Sequence, residues 1–403
     1  MATVRPFRAL LPTPGNAASV AAVPYDVVDT EEARALAAGN PLSFLHVSRA
    51  EIDLPPGTDP HSDRVYRLAA EHYRKLKRDA PLLQEAVPSI YLYRLHAEGH
   101  TQAGIAACYS LDDYDNNVIR KHERTRPDKE DDRTRHMLEL RAQTGPVFLT
   151  FKPIDVVEAV TRRVAASHPL FEFTAIDGVQ HAIWRLPDAD AETIVRAFAG
   201  ISALYIADGH HRAASARRAC EQLGGSAEAK FFLAVAFPSD RVRILPYNRI
   251  VRDLNGRTAE AFLGELARRG FTARQGPATP ERKGEASMYV DGTWRFLDLE
   301  SAGHAGADVV ASLDCNVLQE GLLGPVLGIG DVRVDPRIDF VGGARGTAAL
   351  EQLVDSGKAA VAFSLYPVSV NELMAVSDAG AIMPPKSTWF EPKLRDGLLT
   401  HEL

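Results

Sequence analysis

Cysteine is scarce: the 403-residue chain has three, Cys108, Cys220 and Cys315, far apart and in no Cys-x-x-Cys spacing. That excludes a zinc ribbon and a disulfide framework, and makes a reducing compartment the expectation. Long apolar runs are missing too. A run such as FFLAVAF, Phe231 to Phe237, has the length of a strand and cannot span a bilayer. The opening MATVRPFRALLPTP carries early prolines and no apolar segment of the signal-peptide kind, so no secretion signal is expected. Nor is there an excess of positive charge: 46 Lys and Arg against 53 Asp and Glu leave a formal −7. This balance argues against a protein that coats nucleic acid or an anionic membrane, although it permits one basic cleft. No P-loop, no GxGxxG after a strand, no GxSxG elbow and no kinase HRD and DFG set occurs, so any nucleotide chemistry needs another scaffold. The expectation is a soluble cytoplasmic protein.

What is present reads as alternating helices and strands, hence an α/β class with two or three lobes, or one large body with additions. SVAAVPYDVVD (Ser19 to Asp29) reads as a short strand and a turn, followed by a helix with an acidic first turn. A Pro-rich loop at Asp53 to Asp63 caps a helix through RVYRLAAEHYRKLKRD. PSIYLYRLHAEGHTQAGIAACYSL is a hairpin pattern around AEGHTQ. MLELRAQTGPVFLTF predicts a helix ending at Thr-Gly-Pro and then a buried strand; HAIWRL and SALYIADG are further strands. AKFFLAVAF and VRILPYNRIV read as paired strands. Beyond Arg252 come an amphipathic helix in TAEAFLGELARRG, an Asp-Gly hairpin in ASMYVDGTWRFLDL and a long helical stretch, DVVASLDCNVLQEGLLGPVLGI. No internal repeat is visible. The expected division is a core over residues 1–250 and a C-terminal α/β region over 251–403 packing on it.

The densest chemistry lies in IADGHHRAAS, an apolar strand followed by Asp208, Gly209, His210, His211 and Arg212 and then a helix. A strand-to-helix turn aims backbone N–H groups and the positive end of the helix dipole at whatever lies above it, so a phosphate fits there. Gly209 permits close backbone approach, and Arg212 can grip phosphate oxygens in a fork. Asp208, at the strand tip, suits a general base toward an alcohol or a Mg²⁺ ligand. The plainer reading makes Asp208 an N-cap and the two histidines solvated. Successive helical residues diverge by about 100°, which disfavours His210 and His211 as joint ligands of one ion.

KHERTRPDKEDDRTRH, Lys121 to His136, holds six Lys and Arg against five Asp and Glu. It is either a solvated helix face or a mobile lid over phosphate carrying Lys121, His122, Glu123, Arg124 and Arg126. In MPPKSTWF, Lys386, Ser387 and Thr388 are candidate phosphate or carboxylate contacts, or the residues of a proline-ordered turn. In VPYDVV, Tyr25 and Asp26 either line a cleft or shape a turn.

Together RPF.AL, VPYDVV, GNPLSFLHVSR, KHERTRPDKEDDRTRH, ADGHHR, LPYNRIV and MPPKSTWFEPKL.DGL resemble a bacterial family of unassigned function, often labelled ParB-like, within the ParB/sulfiredoxin superfamily. These pieces run from Arg5 to Leu398. The resemblance implies a ParB/sulfiredoxin-like mixed-sheet core with large insertions and a C-terminal α/β extension. The turn from Gly209 to Arg212 is similar to the phosphate-binding turn of sulfiredoxins, partition proteins and free serine kinases. His210 stands where sulfiredoxin carries its catalytic cysteine, which removes thiol chemistry. Asp208 matches the acid before the glycine in the serine kinases, where it is the proposed base.

The resemblance therefore implies phosphoryl transfer to a small hydroxylated metabolite, with free L-serine or phosphoserine the first guess. ADP, ATP or pyrophosphate would be the donor and Mg²⁺ the cofactor, held by Asp208 and Glu123. Asp208, His210 and Glu123 are then the catalytic set. Gly209, His211, Arg212, Lys121, His122, Arg124, Lys386, Ser387 and Thr388 would bind phosphate or nucleotide, and Tyr25, Asp26 and Arg126 the substrate. The rival readings are a phosphoserine or nucleotide phosphohydrolase and a non-catalytic nucleotide-binding regulator. The expected partners are the small-molecule substrate and the nucleotide, without DNA or membrane; a homodimer is left open.

Overall fold

The computed structural model describes residues 1–79, 82–300 and 308–403. They form two compact units, one of residues 1–242 with 392–403, the other of residues 243–391. The C-terminal stretch thus belongs to the first unit, although the sequence pattern grouped it with everything after 250. Backbone pairing holds it there: Asp396 exchanges hydrogen bonds with Ala22, Thr400 with Leu10, and His401–Glu402 pairs with Ala142–Gln143.

The first unit is built on a nine-stranded sheet. In chain order its strands are β1 (Val4–Arg5), β2 (Tyr91–Ala97), β3 (His100–Ser110), β4 (Ile119–Arg120), β5 (Val147–Phe151), β6 (Phe171–Thr174), β7 (Gln180–Arg185), β8 (Leu204–Asp208) and β9 (Phe231–Pro238). In space they run β4-β8-β5-β9-β3-β2-β7-β6, with β1 beside β3. β8 is parallel to β4 and β9 to β5; the other pairs are antiparallel. This is the mixed α/β class that the alternation of elements predicts. Strands β5 and β9, VFLTF and FFLAVAFP, are near-continuous apolar runs because they lie inside the sheet, buried on both faces. The hairpin β2–β3 turns at Glu98 and Gly99, both at positive φ (50° and 75°), as a tight two-residue turn demands.

Around the sheet lie α1 (Asp63–Arg78), α2 (Pro127–Leu140), α3 (Asp155–Ala165), α4 (Asp188–Phe198) and α5 (His210–Gln222). Leu92, Ile105, Leu149, Ile206, Phe198 and Phe232 are at the centre of one continuous core. Three local expectations fail. FFLAVAF pairs with β3 and β5, not with VRILPYNRIV, because its apolar residues fill the middle of the sheet. SVAAVPYDVVD has a helical turn at Ala17–Val20 and a single bridge at Ala22; Pro24 cannot donate to a ladder, and the chain turns. The long helix expected near 308–329 is broken into Asp314–Leu318 and a wide turn at Gln319–Leu323. Apolar periodicity alone misread the glycines at 321 and 324, which weaken a helix.

The second unit carries a six-stranded antiparallel sheet of β10 (Tyr247–Val251), β11 (Ala273–Gln275), β12 (Glu285–Val290), β13 (Thr293–Asp298), β14 (Ile338–Gly342) and β15 (Val361–Leu365), ordered β11-β13-β12-β15-β10-β14. The expected Asp-Gly hairpin joins β12 to β13, with Asp291 and Gly292 at positive φ. Helices α6 (Ala259–Arg268), α7 (Gly346–Asp355) and α8 (Val370–Asp378) complete it. Among the described residues no helix is long and apolar enough to cross a membrane.

Candidate functional site

Strand β8 delivers ADGHHR to the C-terminal edge of the sheet. Its register against β5 shifts between Ile206 and Asp208, a bulge at Ala207. Such a bulge re-aims the next side chain, here the Asp208 carboxylate. Gly209 follows at φ 92°, ψ 32°, a left-handed conformation that costs an L-residue, and α5 starts at His210 with no side-chain cap. Asp208 is therefore not the N-cap. Its Oδ2 instead takes the Lys393 ammonium at 3.1 Å and lies 3.5 Å from Arg212 Nη2. Burial alone would raise this carboxyl, but the Lys393 and Arg212 charges outweigh it and hold it well below the usual carboxylate range.

Arg212, 5% exposed, folds back beneath the turn. Its Nη1 donates to the Pro146 carbonyl, whereas Nε and Nη2 are buried with no hydrogen-bond partner among the described residues. A Cβ on residue 209 would stand 2.8 Å from Nε and 2.9 Å from Cζ, so only glycine leaves room for the guanidinium. Burial opposes its charge, yet Asp208, Asp26 and Asp396 raise its pKa above the ordinary arginine value.

The two histidines hold the segment that precedes α2. The His122 amide donates to His210 Nε2 at 3.4 Å, and the Arg126 amide to His211 Nε2 at 3.0 Å. The His122 and His210 rings meet edge to face at 4.4 Å, and Glu123 Oε2 lies 3.8 Å from His210 Nδ1. Burial pushes the His122 imidazole down to about 4, against a hydrogen bond at the Ile206 backbone and the Asp208 charge. Burial, with His122 beside it, also lowers His210 well below the usual histidine value. Both rings are neutral near pH 7. Packing of α2 on α5 fixes the segment's far end: Ser215 Oγ donates to the Glu130 carbonyl at 3.1 Å, and Arg218 pairs with Glu130 and Asp131.

The other residues of the charged segment go different ways. Lys121 Nζ stands 3.7 Å from the Tyr114 ring centroid. Arg124 is exposed, and Arg126, also exposed, forks onto Asp128 at 2.8 and 3.1 Å. Tyr25 lies under the Arg133 guanidinium at 4.1 Å, and its carbonyl accepts from Arg49. Asp26 is exposed, and its charge reaches Arg212.

Lys386, Ser387 and Thr388 belong to the second unit. Lys386 takes a left-handed φ of 56°, with its ammonium 5.4 Å from the Tyr247 ring centroid. The Ser387 hydroxyl donates to the Pro384 carbonyl at 2.6 Å and lies 3.3 Å from Cys315 Sγ. Thr388 is half-buried.

Sequence reasoning missed Lys393 and Asp396. Asp396 is 3% exposed, and burial pushes its carboxyl up to about 7, with Asp26 adding to the rise and Arg212 and Arg133 opposing it. Its Oδ1 lies against Gly145, where a Cβ would be 2.6 Å away, next to the Pro146 carbonyl that Arg212 uses. The signal was there: EPKLRDGL packs four charges and a glycine into a stretch that otherwise turns apolar. The first unit thus gathers, around one turn, a guanidinium, an ammonium, four carboxyl groups (Asp208, Asp26, Asp396 and Glu123) and two neutral imidazoles. Such a set can bind an anion and move a proton.

Among solved structures the chain is similar to a free serine kinase variant in complex with ADP, at 15% identity and a TM-score of 0.36, covering 71% of this chain and 87% of that one. It is also similar to SbnI with a C-terminal truncation from Staphylococcus aureus (14%, TM-score 0.41, 73% and 86%). A conserved hypothetical protein from Pyrococcus furiosus is a third (14%, TM-score 0.35, 73% and 93%). No curated protein sequence matches. The family model described as protein of unknown function, DUF1015, matches residues 4–316, and the chain belongs to that family.

Proposed function

We propose that the Gly209–Arg212 turn binds the terminal phosphates of ADP, ATP or pyrophosphate, and that the protein transfers a phosphoryl group to a small hydroxylated metabolite, with free L-serine the first candidate. A ParB/sulfiredoxin-like core for the first unit goes with this reading. The observation that carries it is Arg212: a buried guanidinium whose Nε and Nη2 lack hydrogen-bond partners among the described residues, at the uncapped start of a helix. Leaving such donors unmade costs about 1–3 kcal/mol each, and phosphate oxygens would satisfy them.

In the transfer, the acceptor oxygen forms a bond to phosphorus while the bond from phosphorus to the leaving phosphate oxygen breaks. The acceptor proton goes to Asp208. Its low basicity is adequate because the transition state of phosphoryl transfer is loose and the nucleophile's proton leaves late. Phosphate oxygens would also draw Lys393 and Arg212 off Asp208 and so free the carboxylate. Arg124 and Glu123, on the segment held by His210 and His211, lie where they could close over the substrate.

A magnesium ion shared by Asp208 and Glu123 does not fit the residues. The Asp208 Oδ2 already faces an ammonium at 3.1 Å and a guanidinium at 3.5 Å, which would repel a dication.

The test is a thermal-shift series with ADP, ATP, pyrophosphate, L-serine and phosphoserine. Saturating donor should raise the melting temperature by about 5 °C, and Arg212→Met should lose the shift. Asp208→Asn should keep the shift and abolish phosphotransfer. No shift with any ligand, or an equal shift in Arg212→Met, would sink the reading. Phosphate release without serine would make the protein a hydrolase, and binding without turnover a nucleotide-binding regulator.

A further inference from the structure

His122, Glu123 and His210 each offer one donor atom, and the three atoms lie within 4.8 Å of one another. His122 is 2% exposed, and its Nδ1 is buried with no hydrogen-bond partner among the described residues. The ring is also hydrogen-bonded at the Ile206 backbone. Metal-bound imidazoles commonly donate their outer N–H to a carbonyl, which fixes the tautomer and turns the inner lone pair toward the ion. A buried lone pair with nothing to accept is otherwise a standing cost.

His210, 4% exposed, sets its Nδ1 3.8 Å from Glu123 Oε2, with its ring edge to face with His122. Ligands at tetrahedral bond lengths around one ion stand about 3.3–3.6 Å apart, so closing this edge takes a few tenths of an ångström. Glu123 is only partly buried and has room to adjust.

We propose that His122, Glu123 and His210 bind one first-row transition-metal dication, of the manganese, iron, cobalt or zinc kind. Two nitrogen donors and one carboxylate suit these ions, whereas Mg²⁺ prefers an all-oxygen octahedron and keeps its waters. Three protein ligands leave a coordination position open, as catalytic sites do. Binding has one local cost. With the ion on Nδ1, the His210 proton moves to Nε2, and the His122 amide loses its acceptor. That bond is 3.4 Å long, beyond the common range, so little is given up. His210 and His211 diverge as successive helical residues, but the partner ring here comes from 88 residues earlier in the chain. The inference does not rest on phosphoryl transfer.

The test uses the full chain, stripped with a chelator and titrated with Co²⁺, read by visible d–d absorption, and with Zn²⁺, Mn²⁺ and Mg²⁺ by calorimetry. One equivalent of cobalt should bind, zinc should displace it, and a hundredfold excess of Mg²⁺ should not. His122→Ala should weaken binding by at least about a hundredfold. Because His122 is buried, Glu123→Gln at a partly exposed position serves as the second variant: it should weaken binding at unchanged melting temperature of the metal-free protein. Arg212→Met should leave the cobalt titration intact while removing the phosphate response, which separates this site from the anion cradle. Absence of a stoichiometric cobalt band, equal competition by Mg²⁺, or binding indifferent to both ligand variants would overturn the proposal.

Discussion

Arg212 and Gly209 are fitted to each other: the guanidinium occupies the space that any Cβ at position 209 would need, at 2.8 Å from Nε. The glycine is also at φ 92°, where an L-residue is strained by about 1–2 kcal/mol. Gly209→Ala therefore combines backbone strain with expulsion of the guanidinium. The expected outcome is a loss of about 2 kcal/mol in urea unfolding together with loss of any response to pyrophosphate. A variant with unchanged stability and an unchanged pyrophosphate response would show that Arg212 does not need this turn.

The Asp208–Lys393 pair is the second expectation. Both are partly buried, at 28% and 12% side-chain exposure, so removing one partner leaves a charge in poor solvent. Lys393→Met should destabilise the protein by about 1–2 kcal/mol, with the remaining solvent access moderating the penalty. Adding Asp208→Asn to Lys393→Met should restore part of that loss, because the carboxylate that lost its ammonium is then neutral, while Arg212 still has the Asp26 and Asp396 charges. Denaturant midpoints of the two single variants and the double variant measure the coupling, and simple additivity of the two losses would rule out the pair as a stabilising unit.

Contiguity decided what the sequence could disclose. Asp208 through Arg212 are neighbours in the chain, so the strand, the glycine turn and the helix start that hold them are legible in the sequence. The hairpins at Glu98–Gly99 and Asp291–Gly292 were legible for the same reason: short-range turn chemistry fixes them. Lys393 lies 185 residues beyond Asp208, and no local pattern encodes that ion pair. From the sequence His210 reads as catalytic and His211 as a phosphate contact, or both as solvated; their acceptor role depends on the amides of His122 and Arg126, which arrive from another element. The strand expected around Tyr25 failed where Pro24 denies the ladder a donor. The paired strands expected of FFLAVAF and VRILPYNRIV failed because adjacency in sequence was taken for adjacency in a sheet.

Asp396 makes the third expectation, through pH. Burial raises its carboxyl from 3.8 to about 7, so between those values the folded chain holds a proton that the unfolded chain has released. Stability from this group is then fully present below about pH 4, falls as pH rises, and is lost above about pH 7. Asp396→Asn mimics the protonated acid at every pH. The variant should match the parent near pH 4, then gain on it by up to about 1.4 kcal/mol per pH unit, and hold a constant lead of several degrees in melting temperature above pH 7. Melting curves of both proteins across pH 4–8 give the comparison. A variant that gains nothing on the parent between pH 4 and 7, or falls behind it, would mean that Asp396 is ionised throughout, paired with Arg212 as a plain salt bridge.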